Sequence, residues 1–407
     1  MAGVLWRPVG NREMNILVIP SWYPSQKHPL GGIFCREQAE ALATCSDCRI
    51  IVADWGQNDG ALPLSHPLDL LQALWWRAGA RRQIRPRNER FFEVFEPTLI
   101  WSPKLPGGGN KRIYQALRRI YSDAVKMFGN IDLIHAHVSH PGGYLAGLLS
   151  AETGVPYVLT EHWSQFPGPL LNGRPRPEIE AAMKGARAVL AVSHPAAEKI
   201  KAFGYRRVRV IPNLVAENYF VPRPPSAGVF QFFSMGGIKF QKGFDVLLRA
   251  IAHWSPRPDE VEFIIGGEGE QKQEYQILAE SLGIAGLIRW VGAIPRAEAP
   301  SYFQNCHAFV LPSRHESFGV VFAEAIACGR PIIATSSGGP EDIVNEINGL
   351  LVPVGDVAAL VTAMKSVRDN YQRYDAAAIR EDFMKRFSRP AVVAQIRDLY
   401  AEVLERN

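Results

Sequence analysis

Two glutamates, Glu316 and Glu324, are separated by seven residues in the stretch RHESFGVVFAEAIACG, Arg314 to Gly329. On one helix they would lie about 12 Å apart along the axis at about 1.5 Å per residue, too far to share a proton or flank one bond. They are therefore not an acid and base pair. Phe318 and Gly319 suit a sharp turn, while Val320 to Cys328 is apolar and alanine-rich and stops at Gly329, so the spacing predicts a loop and then a helix. Glu316 then sits at the helix mouth and Glu324 within the first turns. Free N–H groups at a helix mouth hold anions. A ligand with a negative group there and hydroxyls on either side would engage both carboxylates, and a nucleotide sugar has that shape.

Other groups suited to chemistry fall where a strand should end, which is where open α/β sheets bind ligands. In SMGGIKFQKGFDVLL, Gly236, Gly237, Lys239, Lys242 and Gly243 lie between an expected strand and helix, a place to hold phosphate with backbone N–H groups and a point charge. The P-loop spacing is absent. IIGGEGE, with Gly267, and TSSGGPEDIV are two more glycine turns after strands. Near the start, Gly31 and Gly32 precede a helix from about Ile33 and would permit close backbone approach to a phosphate or sugar. HAHVSHPGG carries His135, His137 and His140, and TEHW carries Glu161 and His162. A histidine in a buried strand is usually a satisfied core residue, but His137 is expected one residue past a strand end, free to point into a cleft. Zinc is disfavoured, because no helical i, i+4 pair or cysteine accompanies these histidines.

The elements that must position these residues alternate as short apolar runs and longer helical patterns, the mark of parallel sheets covered by helices. Strands are expected at Ile16–Pro20, Arg49–Ala53, Leu133–Ala136, Pro156–Thr160, Ala188–Val192 and Val208–Ile211 in the first half. In the second half they are expected at Phe230–Met235, Glu262–Ile265, Ile288–Val291, Ala308–Leu311 and Pro331–Ala334. Two doubly wound domains follow, which the 407-residue length allows. The expected divisions are an N-terminal extension over 1–13, one domain over 14–220 with an insertion near 57–110, a second over 221–389 and a C-terminal helix over 390–407 that could return to the first domain. Leu214 to Gly228 reads as the linker.

Composition excludes several classes. A net charge of +5 is no case for nucleic acid, and no apolar run approaches the length of a membrane span. The start lacks a secretion signal, and five scattered cysteines read as free thiols, so a cytoplasmic protein is expected. The insertion holds Trp75 and Trp76 before Arg77, Arg81, Arg82, Arg85, Arg87 and Arg90. That mixture suits an anionic membrane surface or an acceptor carrying phosphates. It equally suits a helix packed on the first domain with a solvated arginine face.

From Ser234 to Asp356 the motifs, including KG at Lys242, GEG, VLPSRHESFGVVFAEAIACGRPIIATSSGGPEDIV and NGLLVPVGD, resemble the donor-binding domain of the retaining glycosyltransferases of family 4. The resemblance implies the GT-B fold, two Rossmann-like domains facing across a cleft, and a sugar moved from a UDP- or GDP-sugar to a glycan or lipid-linked acceptor. It implies that Glu324 takes the ribose hydroxyls, Glu316 contacts the transferred sugar, amides around Phe318, Gly319 and Val320 face the diphosphate and Lys242 neutralises it. His137 would contact the donor sugar and Gly32 would approach the phosphates. Gly237 departs from the pattern, standing where the family usually has an arginine, unless Lys239 substitutes. No Asp-x-Asp occurs, which points to metal-free stabilisation of the leaving group and no cofactor. The competing readings are a catalytically silent nucleotide- or glycan-binding subunit and a nucleotide-sugar epimerase.

Overall fold

The structure, a computed structural model, describes residues 13–25, 27–57, 61–62, 75, 79–98, 100–101 and 109–405. The chain divides into two compact units. The first runs to Ala191 and includes Lys199–Ile211 and the stretch from Val393; the second comprises Val192–Glu198 and Pro212–Val392. The extension expected over 1–13 lies outside the described residues except for Glu13, which pairs with Arg49 at 2.5 Å. Leu214 to Gly228, the stretch expected as the linker, is grouped with the second unit. Val215 and Phe220 are buried there, and the Val215 N–H donates to the Phe387 carbonyl, so this proline-rich stretch is tied down by its apolar residues.

The first unit is built on an eight-stranded sheet. Its strands are β1 (Met14–Pro20), β2 (Cys48–Asp54), β4 (Gln83–Pro86), β5 (Phe91–Phe95), β7 (Leu133–His137), β8 (Tyr157–Glu161), β9 (Ala188–Ala191) and β10 (Val208–Val210), in the order β10-β9-β8-β7-β1-β2-β5-β4. β3 (Ala61–Leu62) and β6 (Ile100–Trp101) form a separate parallel pair. The centre is buried on both faces, as Ile16 to Ile19 and Ile50 to Ala53 show, which is why these strands read as continuous apolar runs. Every pairing in this sheet is parallel except β4 with β5.

The second unit carries the six-stranded parallel sheet β13-β12-β11-β14-β15-β16. Its strands are β11 (Phe230–Met235), β12 (Val261–Gly266), β13 (Ile288–Gly292), β14 (Ala308–Leu311), β15 (Ile332–Thr335) and β16 (Gly349–Val352). Phe232, Phe263 and Trp254 form part of one apolar core beneath it. All eleven strands expected from the sequence are present, within one or two residues at their ends.

Within the insertion Trp75 and Gly79 are helical, as one reading expected, while from Gln83 the described part forms the β4–β5 antiparallel hairpin, and most of the insertion's described arginines are neutralised by carboxylates instead of forming a solvated face. Arg87 binds the buried Glu93 through two N–H groups at 2.9 and 2.7 Å, Arg90 pairs with Glu13 at 3.2 Å, and Arg82 pairs with Glu96 at 3.2 Å and with Asp123. Trp75 is exposed; Trp76 and Arg77 lie outside the described residues.

Candidate functional site

In the second unit the two signature glutamates are not on one helix. Helix Val320–Ala327 begins after Gly319, whose φ of 87° is a left-handed conformation that glycine adopts without strain, and it has no side-chain cap. The Phe322 N–H donates to the Gly319 carbonyl at 3.0 Å, and the N–H groups of Val320 and Val321 precede any intrahelical acceptor. Glu316 lies before it, in extended backbone that bridges Gly338: the Glu316 N–H donates to Ser337 O and its carbonyl accepts from Gly339 N, both at 3.0 Å. Gly339 is required at that crossing, because a Cβ there would lie 2.2 Å from Phe318 Cα. Glu324 is in the second turn and buried.

Three charged pairs surround this turn. The Lys242 ammonium donates to Glu316 Oε1 at 2.5 Å, and Ser313 Oγ donates to the same oxygen at 2.8 Å. Arg296 donates to Glu324 Oε1 and lies over the Phe220 ring, 4.8 Å from its centroid. Arg314 binds both oxygens of Asp245, at 2.8 and 2.7 Å, and rests on Phe240. Burial pushes the Asp245 carboxyl up, but the Arg314 hydrogen bonds and charge outweigh it and hold the group below its usual value. The glycine turns are close approaches: at Gly243 a Cβ would lie 2.0 Å from the Pro312 carbonyl oxygen, and at Gly267 1.9 Å from that of Gly236. Gly237 is different, since the nearest atom to a Cβ there is Lys239 Cε at 4.0 Å. Gly237 and Lys239 are both exposed.

The first unit gathers a different kind of cluster. His137 is the last residue of β7 and is buried, not placed past the strand end as the sequence suggested. Its Nδ1 lies 2.9 Å from His162 Nε2, and its ring stacks on His135 at 4.3 Å. His135 is a satisfied core residue, bonded to Tyr400 Oη at 2.6 Å and Thr160 Oγ1 at 2.7 Å. Burial lowers the His137 pKa to about 3 and takes His135 and His162 well below the usual value, so all three rings are neutral. Glu161 organises the turn: Oε1 accepts from the His162 and Trp163 N–H groups at 2.9 Å each, and Oε2 from Ser139 N at 3.0 Å. Burial still raises its pKa.

Cys35, from helix Ile33–Leu42, completes the group. The expectation that no cysteine accompanies these histidines is overturned, because one donor atom from each of Cys35, His137 and His162 lie within 4.8 Å of one another. Those donor types suit zinc. An ion would have to displace the His137–His162 hydrogen bond and the thiol proton, and burial holds the Cys35 thiol protonated. Gly32 caps that helix with φ 70°, and a Cβ on it would lie 2.1 Å from Trp22 O. Glycine is thus demanded there by the chain's own backbone.

The structure brings Lys242, Glu316, Phe318, Gly319, Val320 and Glu324 to one helix mouth in the second unit. His137, Gly31 and Gly32 belong to the first unit. Sequence reasoning missed Arg296, Ser313, Cys35 and the Arg314–Asp245 pair. Only Ser313 and Arg314, next to the signature, offered any signal.

Two family models match successive parts of the chain, residues 33–381 between them. Glycosyltransferase Family 4 covers residues 33–218 and Glycosyl transferases group 1 covers residues 217–381. The chain belongs to the group 1 glycosyltransferases. D-inositol 3-phosphate glycosyltransferase of Xylanimonas cellulosilytica is 27% identical over 319 residues, 70% of this chain and 75% of that protein. The 2-deoxystreptamine N-acetyl-D-glucosaminyltransferase of Streptomyces fradiae is 28% identical over 294 residues, 64% of this chain and 69% of the relative. Among solved structures, HepE of Anabaena with UDP and glucose has a TM-score of 0.70 at 19% identity, covering 96% of this chain and all of that one. The fold is the GT-B class, with two parallel-sheet α/β domains, and the protein is a glycosyltransferase. Among the described residues no helix of this group 1 glycosyltransferase is long and apolar enough to cross a membrane.

Proposed function

We propose that this glycosyltransferase moves a sugar, with retention of configuration, from a UDP- or GDP-sugar to a hydroxyl of a glycan or lipid-linked acceptor, in the cytoplasm and in the service of cell-surface polysaccharide synthesis. The observation that carries this reading is the Lys242–Glu316 pair beside the uncapped helix Val320–Ala327, with Glu324 held by Arg296 in its second turn. UDP in the HepE complexes favours a uridine donor.

Breaking the sugar–phosphate bond develops negative charge on the departing diphosphate, and aimed donors stabilise it best. The N–H groups at Phe318, Gly319 and Val320 and the Lys242 ammonium serve that charge, with Lys239 at the edge of the glycine turn. On donor binding Lys242 exchanges Glu316 for the diphosphate. Glu316 is released to hydroxyls of the transferred sugar, and Glu324 takes the ribose. His137, neutral, offers a hydrogen bond to the donor sugar and not a charge. Neither a cofactor nor a metal is assigned to the reaction. Gly237 favours the second reading, a subunit that binds without turnover, because it removes a cation from the phosphate turn.

The test is calorimetric titration with a panel of UDP- and GDP-sugars, then a hydrolysis assay, with Glu324→Ala as control. One donor bound and hydrolysed, and lost in the variant, supports transfer. Binding without turnover in the presence of candidate acceptors supports the silent subunit, and no binding by the wild-type chain overturns both.

A further inference from the structure

A cavity of about 720 Å³ opens in the first unit, lined among others by Pro24, Ser25, Asp54, Arg81, Arg82 and Arg85. Its place follows from topology. Asp54 ends β2, Phe95 ends β5, and Pro24 and Ser25 follow β1, so the cavity lies beyond the carboxyl ends of these parallel strands, where open α/β sheets bind ligands. β4 runs antiparallel to β5, with Gln83 opposite Phe95, so the hairpin delivers the arginines just before β4 to that same edge.

Most of the charge there is matched, and one cation is left over. Arg87 and Arg90, on the same hairpin, pair with Glu93 and Glu13, and of the three arginines on the cavity wall Arg82 pairs with Glu96 and Asp123 and Arg85 with Asp54. Arg85 is held in place: it lies over the Phe95 ring, 4.3 Å from the centroid, and reaches Asp54 Oδ2 only at 3.5 Å. Asp54 Oδ1 accepts from the Gly56 N–H at 2.9 Å. Arg82 is anchored by Glu96 and Asp123, and Arg81 is exposed with no carboxylate partner among the described residues. A volume in the range of small-molecule sites, with the exposed Arg81 and the Arg85 guanidinium held over Phe95 on its wall, matches a phosphate ester better than a neutral glycan.

We propose that this cavity binds a phosphate group on the acceptor, so that the acceptor is a phosphorylated sugar or a lipid-linked phosphate. This rests on the transferase reading above. The donor groups already assigned to phosphate, Lys242 and the helix mouth, belong to the second unit, so the two anion sites can be perturbed separately.

Glucose 1-phosphate is titrated into the full chain by calorimetry, and sedimentation is followed with phosphatidylcholine vesicles with and without phosphatidic acid. Arg81→Glu and Arg81→Gln are the variants, chosen because Arg81 holds no carboxylate, with thermal melts confirming the fold. Binding of either probe that weakens about tenfold or more in Arg81→Glu, less in Arg81→Gln, and persists in Lys242→Ala supports the site. The soluble probe alone points to a sugar phosphate; the phosphatidic acid vesicles alone point to a lipid-borne phosphate. Binding of neither probe, binding indifferent to Arg81, or binding lost in Lys242→Ala overturns the proposal. Donor binding by the wild-type chain is measured in parallel, so failure here with a normal donor isotherm rejects the acceptor site alone.

Discussion

The two units handle polar side chains in opposite ways. In the second, the groups around the helix mouth are charged and matched to one another, as Lys242 is to Glu316 and Arg314 to Asp245. In the first, His135, His137 and His162 are buried and neutral, and the Glu161 carboxylate is spent on backbone N–H groups. Charge pairs at a partly open site can change partners when an anion arrives. A buried neutral network cannot, and it fixes geometry instead. The helix mouth of the second unit is built to meet charge, and the histidine cluster of the first to hold a shape.

The sharpest way to break this contrast is Lys242→Met. If the ammonium moves from Glu316 to the leaving diphosphate, kcat should fall about 100-fold or more, the scale expected for losing one aimed donor, and the thermal midpoint should change little. If steady-state transfer or hydrolysis keeps its kcat, Lys242 only neutralises Glu316 and the partner exchange is wrong.

In the first unit the corresponding change is Glu161→Gln. One acceptor oxygen remains for three N–H groups, and the new NH₂ meets a donor, so stability should drop by about 2 kcal/mol, the cost of a buried group left without its partner. Urea denaturation measures it. An unchanged midpoint would mean that the turn carrying His162 does not depend on this carboxylate.

Acid sharpens the comparison further. Each buried histidine has a folded pKa below its unfolded value of about 6.5, so the unfolded chain binds more protons and stability is lost as pH falls below that value. For His137, held neutral down to about 3, the loss at pH 5 is about 2 kcal/mol. His135 and His162 shift in the same direction, as does His140, lowered to about 4. Calorimetric melts at pH 7 and pH 5 should show the first unit's transition moving down more than the second's. Equal shifts would remove the histidine cluster as the cause.

How far the sequence carried differs between the units for the same reason. Parallel strands buried on both faces, such as Ile16 to Ile19 and Phe309 to Leu311, stand out as apolar runs, and Gly319 and Gly329 bracket the signature helix with positive φ at both. The β4–β5 hairpin did not stand out, because arginines that pair across it look like a basic face when read in line. Glu316 and Glu324 were visible as a spacing, yet their partners Lys242 and Arg296 come from other loops, and no local pattern links them. Cys35 is the extreme case: helix Ile33–Leu42 carries it to histidines on distant strands, a contact that only the folded chain creates.

The mildest expected effect concerns Gly237. Its backbone is not in the left-handed region, and a Cβ meets nothing closer than Lys239 Cε at 4.0 Å, so a larger residue fits without strain. The turn already holds Lys239 and Lys242, and a third cation there gains a bidentate hold on phosphate while repelling its neighbours. Gly237→Arg should therefore tighten nucleotide-diphosphate binding by about five- to tenfold, with the gain shrinking as salt rises. Titration of UDP into both chains at two salt concentrations decides it. A tighter complex whose advantage fades with salt makes Gly237 an adjustment of donor affinity in a working enzyme. An unchanged affinity means that the second unit's existing lysines and helix mouth already supply the charge that the missing guanidinium would bring.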